Sequence, residues 1–543
     1  MSIDGLFAHP ASGTPTETSV VAQARELIAG LLAEPWGQVS ASPYETGRVA
    51  SLAPWLAGHA ERIDFLLATQ RADGGWGPPG DYGLVPTLSA VEALLAECRR
   101  EAPCTDSGLL AKVADRGLEA VRGWWLEGQE EPLPDTPAIE LIVPSLLSLI
   151  NGHLDVPGPF QGMSDTKLEA VRAWLRSGVA IPQKLVHALE VAGEEAVAAS
   201  GIVPTPMPDG MAAVGASPGA SAAWLAALLE PEDGAVSKLE DGVTSHRSGW
   251  SARGGAPVRR YLEAIATSSG GPVPCAVPIT VFERGWTLSW LLRAGIAVDV
   301  PPELSASLRD GLGRDGIAAG PGLPADADTT SVALYALALL GEPREPEGLW
   351  AFEAESHFCT WSGEEGMSPT TNAHVLDAFG EYVRRCGGES RHAGVVTKLT
   401  SWLRGCQEAE GNWLDRWHVS PYYATACCGI ALSEFGGEKS KGAVDRAVDW
   451  VLDTQRRDGS WGLWEGTAEE TAYALQTLLL TGAMREGRAW EAVERGHRRL
   501  SAIRDHEAPL WVDKDLYLPV AIVRAVVLGA LHLAERAMNI TGE

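Results

Sequence analysis

No apolar run in this 543-residue chain is long enough to cross a membrane as a helix. The strongest candidate, LPVAIVRAVVLGAL at 518–531, is interrupted by Arg524. The opening stretch MSIDGLFAHPASGTPTETS has neither a basic start nor an apolar centre, so no export signal is read there. These absences predict a cytoplasmic protein without stable membrane insertion. Basic residues are scarce too: 43 Lys and Arg stand against 71 Asp and Glu, a net charge of −28. Such a balance disfavours nucleic acid as a partner. An anionic ligand would need a local basic cluster or a divalent cation to hold it against that field. The eight cysteines contain no CxxC pair, which predicts free thiols and no zinc site.

Strand patterns are few, and helix-period runs recur in their place. Examples are VVAQARELIAGLLAE (20–34), TLSAVEALLAECRR (87–100), SAAWLAALLE (221–230), TSVALYALALLG (330–341) and ETAYALQTLLLTG (470–482). Several lack a strongly polar face, which predicts burial between neighbouring helices in an all-α fold. A repeat runs through the chain: QRADGGW (70–76), QEAEGNW (407–413) and QRRDGSW (455–461) share Gln, three residues, Gly, one residue, Trp. The Gln can end a helix and bond nearby backbone, the Gly can make the turn, and the Trp can pack against the next repeat. Twenty Trp against eight Phe and nine Tyr fit that reading. Most of those rings are expected in helix packing, and a minority can line a cavity whose ring faces stabilise a cation.

One acidic cluster, DADTT at 326–330, runs directly into an apolar helical stretch. Asp and Thr are favoured helix caps, and carboxylates suit the positive end of a helix dipole. The same place lets a loop present an acid to a cavity, so cap and catalyst are compatible readings.

DADTT resembles the Asp-x-Asp-Asp motif of the class II terpene cyclases, particularly the bacterial diterpene cyclases related to squalene-hopene cyclases. Other segments are similar in order along the chain: SPYETGRVA (42–50), ATQRADGGWG (68–77), PDTPAIELIVPSLL (134–147), IPQKLVHALE (181–190), VPITVFERGW (277–286), SPTTNAHVLDA (368–378), DRWHVSPYYATA (415–426) and PLWVDKDLY (509–517). The resemblance implies two α-barrels. Residues 1–44 would join a C-terminal barrel at 281–543, with a second barrel at 45–280 inserted between them. The active site would lie where the two meet.

By this resemblance the protein protonates the terminal alkene of a prenyl diphosphate and cyclises it with the diphosphate retained. Asp328 would be the general acid, Asp326 its charged or hydrogen-bonding neighbour, and Thr329 a hydroxyl in the fourth motif place. Two carboxylates close together in a dry site favour a proton staying on one of them. Thr370 and His374 would hold the acid and stabilise its conjugate base. His187 matches the histidine of a plant His–Asn pair that binds the terminating water, but the Asn place falls on Cys275. Glu140 matches a glutamate associated with Mg²⁺, a cation that prefers oxygen ligands. Lys514, Arg48 and Lys184 would meet the diphosphate, and Trp286, Trp361, Tyr422 and Tyr423 would line the pocket.

The chain has no Asp-Asp pair, so the metal motifs of class I synthases are missing. A separate class I synthase is therefore expected to take the product. The expected reaction converts geranylgeranyl diphosphate to a bicyclic labdane-type diphosphate, copalyl of the ent series. Alternatives are a drimenyl diphosphate synthase using farnesyl diphosphate, a clerodane or halimane skeleton, and a non-catalytic prenyl-binding barrel.

Overall fold

The computed structural model describes residues 17–127, 133–154, 164–228, 254–364, 366–483, 487–503 and 508–542. Residues 1–16 of the N-terminal segment and all of 229–253 in the inserted region, including the end of the run at 221–230, lie outside the described residues. Helices dominate, and among the described residues the strands form three hairpins of two-residue strands. None of the described helices is long and apolar enough to cross a membrane.

Two groups of helices carry separate apolar cores. Val20, Ala24, Leu27, Ile28 and Leu31 on the helix Glu17–Ala33 share one core with residues from Trp286 to Ala534. Residues 44–277 bury their apolar side chains in other clusters, one of them spanning Tyr44 to Val191. The chain thus enters one body, builds the second, and returns to complete the first.

A Ser-Pro step starts four inner helices, at Ser42, Ser217, Ser368 and Ser420. Proline suits the first helical position because its absent N–H would be unpaired there. Each Ser hydroxyl oxygen accepts a free backbone N–H of the first turn, from Glu45, Ala220, Thr371 and Tyr422 respectively. Each hydroxyl also donates to a buried carboxylate, on Asp515, Glu45, Asp415 and Glu470. The caps therefore bring acidic groups to the helix starts.

The Gln-to-Trp repeats adopt one structure three times. Gln70, Gln407 and Gln455 each donate to the carbonyl of the repeat glycine and to a carbonyl on a later helix, at 2.7–3.0 Å. The indole N–H of Trp76, Trp413 and Trp461 each caps a carbonyl ten residues earlier, at 2.6–2.8 Å. Gly459 has φ +91°, and a Cβ there would lie 2.8 Å from the Arg495 carbonyl oxygen. Only glycine fits that turn.

Candidate active site

A hairpin pairing Ile317 with Asp326 delivers the acidic motif to the helix Ala327–Leu339. Asp326 is the cap: its Oδ1 accepts the Thr329 N–H at 2.6 Å. Thr330 donates to the Asp326 carbonyl at 2.6 Å and accepts the Ile317 N–H at 3.0 Å, which fixes hairpin to helix. Asp328 is thereby placed in the first helical turn, where its Oδ1 lies 2.6 Å from Nδ1 of His374. His374 projects from the helix Pro369–Cys386, which packs beside the first.

The electrostatics separate the two aspartates. Burial pushes Asp326 up to about 8, with the Asp328 charge adding and the Thr329 N–H opposing. Burial opposes a charge on His374, yet the Asp328 carboxylate and then Cys427 hold the imidazole well above its ordinary range. His374 is therefore held as a charged partner against Asp328, with a mostly protonated Asp326 close by.

Aromatic rings spread from this pair. Trp286 meets His374 edge-on at 5.4 Å and Phe282 at 4.3 Å, and its indole N–H donates to the Tyr423 hydroxyl at 3.4 Å. Tyr423 in turn approaches Trp511 at 5.0 Å and Tyr473 at 5.2 Å. Such a set of ring faces stabilises positive charge without offering a lone pair to quench it. Tyr517 closes the set on the barrel junction. Burial raises its phenol well above the ordinary value, and Cys275, Asp513, Asp328 and Glu469 act in the same direction.

The hairpin Trp511–Tyr517 joins the two bodies. Asp515 accepts from the Ser42 hydroxyl at 2.9 Å and from the Tyr44 N–H at 3.2 Å. Asp513 lies 3.1 Å from Nε2 of His187, whose Nδ1 is 2.5 Å from the Gly215 carbonyl oxygen. Burial works against both charges, but the pair holds His187 above its usual value and Asp513 down to about 2.

Several expected site residues require correction. Lys514 is fully buried and its ammonium reaches Glu45 and Glu190, each at 2.9 Å. It joins the barrels and is not a free diphosphate ligand. Arg48 is buried against Glu92 and Ser89 inside the inserted body. Thr370 donates its N–H to Asp415 at 3.0 Å and its hydroxyl lies 3.3 Å from Ser368, so it does not hold Asp328. Tyr422 packs on Trp450 at 4.7 Å, and Trp361 on Trp417 at 5.0 Å, both outside the ring set around His374. The ring nitrogens of His187 both face acceptors, so the imidazole itself has no lone pair free for a proton. Lys184 is exposed beside His187. Cys275 is fully buried at the junction, its thiol pushed well up by burial and then by Asp513 and Glu45. Thr329 adds a hydroxyl bond to Asp326.

A small cleft between the bodies is lined by Asp81, Tyr82, Thr136, Ile139, Lys514 and Asp515. The Thr136 hydroxyl is buried there without a hydrogen-bond partner among the described residues. Glu140, the residue after Ile139 in the chain, is exposed and lies 3.4 Å from Lys167. These oxygen donors fit a hard cation such as Mg²⁺.

A buried carboxyl paired with imidazole beside a cluster of aromatic rings, in a chain of two helical bodies, is the arrangement of a class II terpene cyclase. Residues 366–516 match the squalene-hopene cyclase C-terminal domain family. The chain is 42% identical over 526 residues to an ent-copalyl diphosphate synthase of Streptomyces sp. (strain KO-3988), covering 95% of this chain and 96% of that one. It is 38% identical to a labda-7,13-dienyl diphosphate synthase of Streptomyces clavuligerus, covering 96% and 95%. The solved ent-copalyl diphosphate synthase from Streptomyces platensis superposes with a TM-score of 0.85 at 39% identity, covering 95% and 99%. The chain belongs to the bacterial class II diterpene cyclases.

Proposed function

We propose that this cyclase converts geranylgeranyl diphosphate to copalyl diphosphate of the ent series, with the diphosphate retained. The observation that carries the reading is the 2.6 Å bond between Asp328 and His374 at the edge of the aromatic set. Two of the similar proteins, from Streptomyces sp. (strain KO-3988) and Streptomyces platensis, are ent-copalyl diphosphate synthases, which favours that skeleton and hand.

The chemistry follows from the groups in place. A carboxylic acid at Asp328 gives its proton to the terminal alkene, whose π electrons form the new C–H bond and leave a tertiary cation. Two further alkenes close two rings in turn, and the charge moves along the chain while ring faces screen it from water. An imidazolium at His374 stabilises the carboxylate left behind, which makes the proton easier to give up. Asp81, Thr136 and Glu140 would hold Mg²⁺, which neutralises the diphosphate in a protein of strongly negative charge.

Termination is assigned to the carboxylate of Asp513. A tertiary cation is so strong an acid that even a carboxylate with a pKa near 2 takes its proton, provided it lies within reach. His187 then positions that carboxylate. Asp513→Asn is expected to lower the olefinic fraction and to raise water-captured, hydroxylated products, read by gas chromatography–mass spectrometry after dephosphorylation. An unchanged product spectrum would remove Asp513 from the termination step.

The function itself is tested by incubating the protein with geranylgeranyl or farnesyl diphosphate, with Mg²⁺ or with EDTA. Chiral chromatography should find ent-copalol from the C20 substrate, lost in EDTA. A drimane alcohol from the C15 substrate alone would overturn the substrate assignment. A product that keeps its diphosphate must next meet an enzyme that ionises it, so a separate class I synthase is the expected consumer.

A further inference from the structure

We propose that Glu469 supplies the counter-charge for the carbocation formed during cyclisation, an inference that rests on the cyclase reading above. Glu469 sits in the first turn of the helix Ala468–Leu480 and is 3% exposed. Its Oε1 accepts the Trp511 indole N–H at 2.8 Å and lies 3.2 Å from Nε2 of His418. Its Oε2 is buried with no hydrogen-bond partner among the described residues.

The tautomer of His418 decides what kind of partner it is. Its Nδ1 accepts the Ser420 backbone N–H at 3.0 Å, so the ring proton sits on Nε2 and points at Glu469. A second proton on the ring would break the bond to Ser420. His418 therefore donates to Glu469 as a neutral ring, as Trp511 does. No Lys or Arg pairs with Glu469 among the ion pairs of the described residues. Neutral donors and the positive end of the helix Ala468–Leu480 hold the carboxylate without a cation to cancel its charge. Its neighbours are rings of the aromatic cluster beside Asp328 and His374: His418 stacks on Tyr423 at 4.5 Å and approaches Trp511 at 5.2 Å. The Tyr473 hydroxyl stands next to the same carboxylate and has no other hydrogen-bond partner among the described residues.

Glu469 thus offers a fixed negative charge behind a screen of aromatic faces. Proton transfer from Asp328 creates a positive charge on carbon, and that charge moves away from Asp328 as the rings close. A second anion further along the cavity lowers the energy of the later cations. Glu469 forms no bond and takes no proton in this scheme. The rings prevent the cation from collapsing onto it.

Glu469→Gln is the test, because an amide oxygen keeps the bond to Trp511 and loses only the charge. The probe is a geranylgeranyl diphosphate analogue whose cation-forming carbon is replaced by nitrogen, present as an ammonium at neutral pH. The variant should bind this analogue about 10- to 100-fold more weakly and lose kcat to a similar degree, with KM for geranylgeranyl diphosphate within about threefold. If the amide variant does not fold, Glu469→Asp replaces it: the charge stays but withdraws by one methylene, so a smaller loss of about two- to fivefold is expected in analogue affinity and kcat, with KM unchanged. Unchanged analogue affinity in a folded variant overturns the proposal. Failure of the wild type to cyclise the substrate would instead overturn the cyclase reading, so the two failures are distinguishable.

Discussion

Asp328→Asn should reduce kcat at least about 10³-fold while KM for geranylgeranyl diphosphate stays within about threefold, the range expected for loss of an essential general acid. The amide keeps the size of the carboxyl group and can still meet His374, so substrate binding survives. What it cannot do is protonate an alkene. Asp326→Asn should be far milder, about tenfold or less. Burial holds Asp326 near 8, so it is mostly a neutral acid at pH 7, and an amide oxygen can accept the Thr329 N–H in its place. The sign of the pH dependence follows. Above about 8, Asp326 loses its proton and places a negative charge beside the Asp328–His374 pair, which opposes the negative charge that develops on the acid as its proton moves to the alkene. The wild-type rate should therefore fall on the alkaline side, and Asp326→Asn should move that fall to higher pH. Steady-state rates from pH 6 to 10 on both variants check this. Equal damage from the two substitutions would mean that the acid has been assigned to the wrong carboxyl group.

The difference between these aspartates shows how far the sequence reaches. DADTT reads as both a helix cap and an acid, and the structure divides the two roles between Asp326 and Asp328 two residues apart. The repeats were legible because their chemistry is local: a Gln, a tight glycine turn and a Trp lie within seven residues. His374 was found through its motif position, and its bond to Asp328 spans 46 residues of chain. Long-range polar pairing was not legible. Lys514 carries a charge like any surface lysine, and nothing near it in the chain reveals that Glu45 and Glu190, more than 300 residues away, meet it. Asp513 and Glu469 were missed for the same reason. WVDKDLY marked the right segment, but a carboxylate takes its role from what surrounds it in space. Thr370 shows the converse failure, because a matching position did not carry a matching contact: its N–H turns to Asp415, which also accepts the Ser368 hydroxyl at 2.7 Å.

Lys514→Met should destabilise the protein by about 3–5 kcal/mol, the usual consequence of removing one partner from a buried ion pair. The ammonium touches the Glu45 and Glu190 carboxylates, the His187 carbonyl and the Ser217 hydroxyl, all within 3.0 Å and all on the inserted body. Burial opposes its charge, yet Glu190, Glu45 and Asp513 hold its pKa above the usual lysine value. Without it, two carboxylates stay buried with no cation between them. Glu45, already raised by burial, would have to take up a proton. Adding Glu45→Gln and Glu190→Gln to Lys514→Met removes those charges and should restore more than about half of the loss. Urea unfolding of wild type, single and triple variants at pH 7 reads both effects. A triple variant as weak as the single one would show that packing at the junction, not charge compensation, is what Lys514 contributes. The consequence reaches catalysis because Trp511, Asp513 and Tyr517 ride on the same hairpin. A loosened junction displaces Trp511, Asp513 and Tyr517 together, so the single variant should also broaden its product mixture, and the triple variant should narrow it again as far as it restores stability.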